Sequence, residues 1–549
     1  MWVSSITLNN FRCFKSLSFT ASKDLNILVG ENNVGKTSVF IAVSKLITVI
    51  WEGKGQAFQT GDIRRNRLAA NPLSVSCSFS LDANDRRDII NLLSPKDFDL
   101  NTKRILSRRL GNILDTLQVG FEWSETSQDS YIKLGPLYVN KNTFSHERHP
   151  SGQISKVDEL IRSLVSPEYS QSLDLAIRGA EVWEAANLKS NLLNILRPRF
   201  SHFEEFRGRP CRTGRTAALN SLEGSQTANV LLNLKNHTER RQRDRYTGVT
   251  HAFSTFFPQL RIEAVETEPS SGIADIHFTE IGDNYPVPIE NVGAGISELL
   301  TLLTNLVTLR GYIFVIEEPE LHLHPHAKRN LADLIRRSST KNQFFIITHD
   351  PLFIYPDFIH NLNRFYLRGK NTGTVVASMS SDLSARDIGQ IKTASKDISK
   401  RDLYFARAVL FVEDESQQRF IEGCAKKLDY GLDSAGLSIV EVGGQDGFEP
   451  YIKLAKQLDL PFLCLRDLPW GSDTDRPSKI YRSLDCELEQ YLEHVGCGSL
   501  MVQARKTVGT SKQWVAKYCG EHIERVNIPP FFPQLLEDAM KLCKKRYKK

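Results

Sequence analysis

The chain has 549 residues, 41% of them hydrophobic and 24% charged, with a formal net charge of +6. That is room for two to four domains of ordinary globular composition, and no uninterrupted apolar stretch is long enough to span a bilayer, so no membrane is expected. The mild positive charge only permits a nucleic-acid partner. Nine scattered cysteines, with no C-x-x-C pair, count against a zinc module and suit reduced thiols in a cytoplasm. The opening residues Met1 to Leu8 lack the basic region and cleavage site of a signal peptide. They read as a first strand.

The most informative stretch comes early. Asp24 to Val29 is an apolar run that ends as a buried strand should, and Ser38 to Leu46 has helical character. Between them Gly30-Glu-Asn-Asn-Val-Gly-Lys-Thr37 reads G-x-x-x-x-G-K-T, the phosphate-binding P-loop, in the strand–loop–helix context that pattern requires. Glycines let backbone N–H groups approach phosphate oxygens, and the helix N-terminus adds partial positive charge. The expected ATP-binding residues are Gly30, Asn32, Asn33, Gly35, Lys36, Thr37 and Ser38. Lys36 reaches the β- and γ-phosphates, and the Thr37 hydroxyl ligates Mg²⁺.

Residues 65 to 284 show no phosphate chemistry and read as a mostly α insertion that carries a dimerisation region. Strand-like Leu73 to Ser80 alternates there with helical runs, Val157 to Val165 and Ala217 to Lys235. Basic clusters stand at Arg64, Arg65 and Arg67, at Arg197 to Arg215, at Arg240 to Arg245 and at Lys544 to Lys549. Each is either a solvated face or a set of phosphate contacts.

Nucleotide chemistry resumes near residue 285. Asn291-Val-Gly-Ala-Gly-Ile-Ser-Glu298 opens a helix, and a glycine-rich helix start is a second anion site. Because the chain has its own P-loop, Gly293, Gly295 and Ser297 are expected to serve a partner's nucleotide. Tyr312 to Ile316 is a buried strand ending in two acids. Glu317 suits Mg²⁺ held through water, and Glu318 suits orienting or deprotonating the attacking water. A further strand, Gln343 to Ile347, ends at Thr348-His349-Asp350, which places His349 to contact a γ-phosphate. His322 and His324, on a Pro-bounded loop, are too few for a metal site and are expected at a dimer face.

From about residue 403 the pattern changes to strand, helix, strand, helix, strand. Ala408 to Val412 runs into Glu413, and Pro461 to Leu465 ends at Arg466-Asp467. Acids at the ends of neighbouring parallel strands point into one crevice, an arrangement suited to divalent metals and phosphodiester chemistry. Polar Ser378 to Arg401 reads as a linker.

These motifs together resemble two known families. Asn10-Phe-Arg-Cys-Phe14, the P-loop, Glu317-Glu-Pro-Glu-Leu-His-Leu-His-Pro325 and His349 resemble the ABC-type ATPases of the SMC and RecF kind; Gly293 to Ser297 resembles their signature motif without being a full L-S-G-G-Q. Leu403 to Glu413 resembles the start of the Toprim domain in OLD-family (overcoming lysogenisation defect) nucleases. The resemblance implies an α/β protein: an ABC-type ATPase head with a mixed sheet over residues 1–64 and 285–400, the insertion over 65–284, and a Toprim-like parallel α/β domain over 401–549. It implies ATP sandwiched in a homodimer or higher oligomer, with Gln56 and Gln59 as Q-loop candidates. In the Toprim part it implies Glu413, Asp467 and Lys512 as catalytic residues and Glu413, Asp467 and Glu489 as ligands for Mg²⁺ or Mn²⁺, with Glu487 a weaker choice than Glu489. This sequence departs from the pattern at Asp414, Gln417 and Pro469, for which Glu415, Asp473 or Asp475 are the available substitutes. The implied activity is cleavage of nucleic acid, DNA foremost, in defence against phage. A product of a neighbouring gene, helicase-like or a retron reverse transcriptase with its DNA, is an implied partner. The alternatives are an ATPase scaffold with a degenerate Toprim domain and a RecF-like repair ATPase.

Overall fold

The computed structural model describes residues 1–54, 57–64, 72–93, 115–134, 137–143, 194–203, 210–211, 213–214, 224–267, 272–369, 372–379, 384–467 and 480–545. Val157 to Val165, Asp473 and Asp475 lie outside them. The chain forms two compact units, one of Met1–Asn26 and Thr37–Thr348, the other of Ile27–Lys36 and His349–Lys549. The division falls inside the P-loop, between Lys36 and Thr37.

In the first unit an antiparallel sheet runs in the order Phe14–Thr20, Trp2–Phe11, Leu73–Ser80, Thr116–Trp123, Gln128–Leu134, Leu137–Thr143. Strict alternation drives it: Leu73, Val75, Cys77 and Phe79 are buried while the serines between them face outward. The insertion contributes four strands to this sheet, with the helix Ala83–Leu93 between the first two of them. Two further helices, Thr227–Lys235 and Arg240–Phe256, come later, and among the described residues of the insertion, expected to be mostly α, strands take up more of the chain than helices. Alternating Leu–Ser–Val–Ser sequence prefers the period of a sheet to that of a helix.

The same unit holds three parallel strands, with Ile313–Glu317 flanked by Gln343–Ile347 and by Phe200–Phe203. The first two are buried at every position, as uniformly apolar runs in a covered parallel sheet should be. The P-loop helix Lys36–Glu52 contributes Phe40, which packs against Phe345 with ring centroids 4.8 Å apart.

In the second unit, residues 27–30 of the strand Leu25–Gly30 run parallel to Leu362–Leu367, which is antiparallel to Thr374–Ser378. A four-stranded parallel sheet follows, in the order Leu437–Glu441, Ala408–Val412, Phe462–Arg466, Tyr481–Ser483. Leu410, Val412, Leu463 and Leu465 fill its core with Phe420 and Phe532. Strand Leu362–Leu367 joins this unit because buried Arg364 donates to the carbonyl of Ala406 at 2.7 Å and the Tyr366 hydroxyl bonds Asp459. The polar stretch read as a linker is structured where described. It holds the helix Ala385–Ala394, and buried Arg401 donates to the carbonyls of Ser395 and Pro351. Ser395 and Arg401 put their polar groups into buried hydrogen bonds, while most of the other polar residues there stay exposed.

Candidate ATP and acidic sites

In the second unit the P-loop leaves its strand at Gly30, whose φ is +142°. A Cβ here would lie 2.1 Å from the Phe365 carbonyl oxygen, so only glycine fits. Asn33 and Gly35 also take positive φ, which folds the loop back on itself. The buried Lys36 ammonium donates to the carbonyls of Gly30 (2.7 Å) and Glu31 (2.9 Å) and lies 2.9 Å from His349 Nε2. Lys36 and His349, far apart in sequence, thus meet. The Glu31 carboxylate pairs with Arg407 at 2.8 Å, so the loop also touches the segment leading into the strand Ala408–Val412.

In the first unit Thr37 opens the helix, and its hydroxyl donates to Glu317 Oε2 at 2.5 Å. Glu317 is buried, and its other oxygen lies 2.6 Å from His202 Nε2. Glu318 has φ +42°, a strained value for a non-glycine residue at the strand end. Its backbone N–H donates to the Ile347 carbonyl. Gly293 caps the helix Ala294–Thr308. A Cβ on Gly295 would lie 2.2 Å from the His322 carbonyl oxygen, so the glycine-rich helix start packs directly on the following loop. Ser297 is buried and bonds the Ala294 carbonyl. His322 pairs with Glu298 at 3.2 Å, and His324 caps the helix Pro325–Ser338 and stacks on His326. Among the described residues neither histidine belongs to a group of three that could hold a metal ion. Gln59 caps a short turn through Asp62, which is bound to Arg12 and Lys45, and Gln56 lies outside the described residues. In the second unit an ammonium and an imidazole together on a glycine-shaped loop fit a phosphate anion. In the first, a hydroxyl beside a buried carboxylate fits Mg²⁺; when bound, the ion would be held by Thr37 and Glu317 and would withdraw charge from a phosphate.

The acidic site is built on the parallel sheet of the second unit. Val412 and Leu465 are direct neighbours on adjacent strands, so the chain beyond each delivers Glu413 and Asp467 to the same edge. The backbone N–H of Asp467 donates to Glu413 Oε2 at 3.1 Å. Gln417, fully buried, clamps both: its amide donates to Asp467 Oδ1 at 2.7 Å, and its carbonyl accepts from the Glu413 N–H at 3.0 Å. Asp414 accepts from the Gln417 N–H and caps the helix Glu415–Lys427, which accounts for an acid at that position. Burial raises the Asp467 carboxyl to about 6; the Gln417 bond opposes this, while the charges of Glu413, Asp414 and Glu489 add to it.

Of the proposed substitutes, Glu415 is engaged by Arg419. Lys512 is exposed and pairs with Glu487 at 2.9 Å and Glu489 at 3.9 Å, which raises its own proton affinity. Among the described residues no three acids, histidines or cysteines gather closely enough to form a ready metal cage. Glu489 Oε1 is nevertheless buried with no hydrogen-bond partner among them. An orphaned carboxylate oxygen beside a desolvated acid fits a cation that keeps most of its own waters.

Sequence reasoning missed His202 and the clamp role of Gln417. His202 stands in a four-residue strand, Phe200–Phe203, too short to carry a periodic signal, inside a stretch conspicuous for its arginines. In that stretch Arg197 lies near Glu52 and Arg199 donates to the Arg310 carbonyl; Arg207, Arg209, Arg212 and Arg215 lie outside the described residues. Arg243 caps carbonyls of His237 and Thr238.

Residues 25–354 match the family described as AAA domain, putative AbiEii toxin, Type IV TA system. Residues 404–468 match the overcoming lysogenization defect protein-like TOPRIM domain. The OLD nuclease of Thermus scotoductus is 21% identical over 485 residues, covering 84% of this chain and 81% of that protein. Endonuclease GajA of Bacillus cereus is 24% identical over 465 residues, covering 81% of this chain and 71% of that protein. The crystal structure of an SMC head bound to the C-terminal winged-helix domain of ScpA is 12% identical, covers 70% of this chain and 99% of that one, and superposes with a TM-score of 0.42. The chain belongs to the AAA-domain family of that description and joins its ATPase domain to an OLD-like Toprim domain, the architecture of an ATPase and nuclease.

Proposed function

We propose that this chain is an ATP-dependent nuclease that cleaves nucleic acid, DNA foremost, at a divalent-metal site held by Glu413 and Asp467. One observation carries the reading: two strand-end carboxylates on adjacent parallel strands are fixed to each other by the Asp467 N–H and by Gln417. A bound Mg²⁺ or Mn²⁺ would lower the pKa of its water and screen the scissile phosphate. Glu489, whose charge acts on Asp467, and Lys512, which pairs with Glu489, would supply a third oxygen and a compensating positive charge. In the ATPase part, Lys36 and His349 would contact the phosphates, Thr37 and Glu317 the ion, and Glu318 the attacking water. Gly293, Gly295 and Ser297 would address the nucleotide of a second copy, so that ATP occupancy governs a dimer. The proposed setting is the cytoplasm and defence against phage, in keeping with nine free cysteines and the kind of relatives found. Among the described residues no helix is long and apolar enough to cross a membrane.

The deciding experiment is plasmid nicking by purified protein with Mn²⁺, with and without ATP. Nicking that disappears in Asp467→Ala supports the nuclease. A second reading, an ATPase scaffold with a relic Toprim site, is favoured by Gln417 standing where an acid is usual. It wins if wild type and Asp467→Ala are equally inactive on DNA and RNA yet equally protective in cells.

A further inference from the structure

Glu317 is the buried carboxylate at the end of its strand, and both its oxygens are taken. Oε2 accepts from the Thr37 hydroxyl and Oε1 faces His202 Nε2 at 2.6 Å. His202 is placed by backbone pairing, since Val315 on the strand of Glu317 is its register partner on the neighbouring strand. Its ring is only 8% exposed and meets Phe40 of the P-loop helix edge-on, with centroids 6.3 Å apart. A buried imidazole with one wall of aromatic carbon and one short polar contact has little freedom to turn. The carboxylate it touches is correspondingly fixed in rotation.

We infer that His202 is a positioning residue for the ATPase reaction: by holding Glu317 Oε1 it keeps Oε2 turned toward Thr37, and so sets the affinity for Mg²⁺ that accompanies the nucleotide. The inference rests on the reading of Thr37 and Glu317 as the Mg²⁺ pair. Without His202 the carboxylate keeps its charge but loses a directional hydrogen bond and its orientation. Hydrogen bonds to charged groups of this kind correspond to roughly a tenfold change in an equilibrium constant, or more.

The test is binding of a fluorescent ATP analogue to the full-length protein in EDTA and across a Mg²⁺ titration, for wild type, His202→Phe and His202→Gln. Phenylalanine keeps the ring against Phe40 and removes the nitrogen. Glutamine keeps an N–H donor at similar reach. His202→Phe is expected to bind the analogue like wild type in EDTA but to need roughly tenfold more Mg²⁺ for the metal-dependent gain. His202→Gln is expected to recover most of it. An unmoved Mg²⁺ titration in His202→Phe overturns the inference, and so does equal weakening with and without the ion, which marks a purely structural role. A wild type whose binding of the analogue ignores Mg²⁺ overturns the nucleotide reading itself, and this inference with it.

Discussion

Two strand-end acids, Glu317 in one unit and Asp467 in the other, sit at the ends of buried parallel strands, and the chain treats them in opposite ways. Glu317 has protein groups at both oxygens, the Thr37 hydroxyl and the His202 imidazole. Asp467 has one amide donor, from Gln417, and three negative neighbours, Glu413, Asp414 and Glu489, within electrostatic range. The first carboxylate is satisfied by the protein and oriented in advance. The second is desolvated among like charges, which is tolerable where a cation arrives with the substrate.

The largest effect should come from the nucleotide side. Lys36 is the one cationic side chain of the loop Gly30 to Thr37, so Lys36→Ala should abolish binding of labelled ATP. Glu318→Gln should leave binding intact and stop hydrolysis. A Lys36→Ala protein that binds the analogue like wild type removes the P-loop from the comparison altogether.

The second effect falls on the acidic site. Glu413→Ala or Asp467→Ala should lower Mn²⁺-dependent nicking by on the order of a hundredfold or more, since even outer-shell changes at metal sites reach that range. ATP hydrolysis should persist. If both activities fall together with no loss of melting temperature, the two sites do not act separately and the contrast drawn above is too sharp.

How much of this was legible in the sequence follows the same divide. The P-loop, Glu317, Glu318 and His349 stand out in the sequence because they follow apolar runs, and the structure puts them at strand ends. Glu413 and Asp467 were legible as acids beyond apolar runs. What stayed hidden depended on partners remote in sequence. His202 touches Glu317 across 115 positions, and Gln417 looks like a lost acid until its amide is seen on Asp467. The strands from Thr116 to Thr143 carried no reading of their own within the mostly α insertion, and pairing across the sheet decides their state.

Gln417→Glu sharpens the contrast by restoring a third acid. It replaces a donor to Asp467 with a negative charge, so the metal-free protein should melt lower and the metal should bind more tightly. Half-maximal nicking should need several-fold less Mn²⁺, up to about tenfold, because affinity of such sites follows the count of charged ligands. An unchanged Mn²⁺ requirement means Gln417 is not beside the metal.

The pH dependence is smaller and has a definite sign. The Asp467 carboxyl is raised to about 6 in the folded chain, above its ordinary value of 3.8. The folded state therefore binds a proton between about pH 6 and pH 4 that the unfolded state does not. This group destabilises the fold above pH 6, and the penalty is relieved as pH falls toward 4. A cation does the same work as the proton, so added Mn²⁺ should raise the melting temperature at pH 7.5 and do little at pH 5. In Asp467→Asn that difference between the two pH values should vanish. Equal Mn²⁺ stabilisation at both pH values in wild type places the metal elsewhere.

The smallest expected effect concerns Glu31 and Arg407. Their ion pair, at 2.8 Å with both side chains about one-third exposed, joins the P-loop to the segment that enters the strand of Glu413. Partly exposed pairs of this kind contribute about 1 kcal/mol or less, so Arg407→Ala should barely move the melting temperature. Its value lies in what it links. Nucleotide on the P-loop would add negative charge near Glu31, while Arg407 is anchored on the other side by its backbone N–H to the Gly436 carbonyl. If ATP acts on the acidic site through this contact, Arg407→Ala should leave ATP hydrolysis and ATP-free nicking alone and flatten the response of nicking to ATP. A double variant, Glu31→Ala with Arg407→Ala, should behave like either single one, because the two side chains then act as one element. Additive effects of the two changes mean each works through a separate contact, and the pair is then only a surface ion pair.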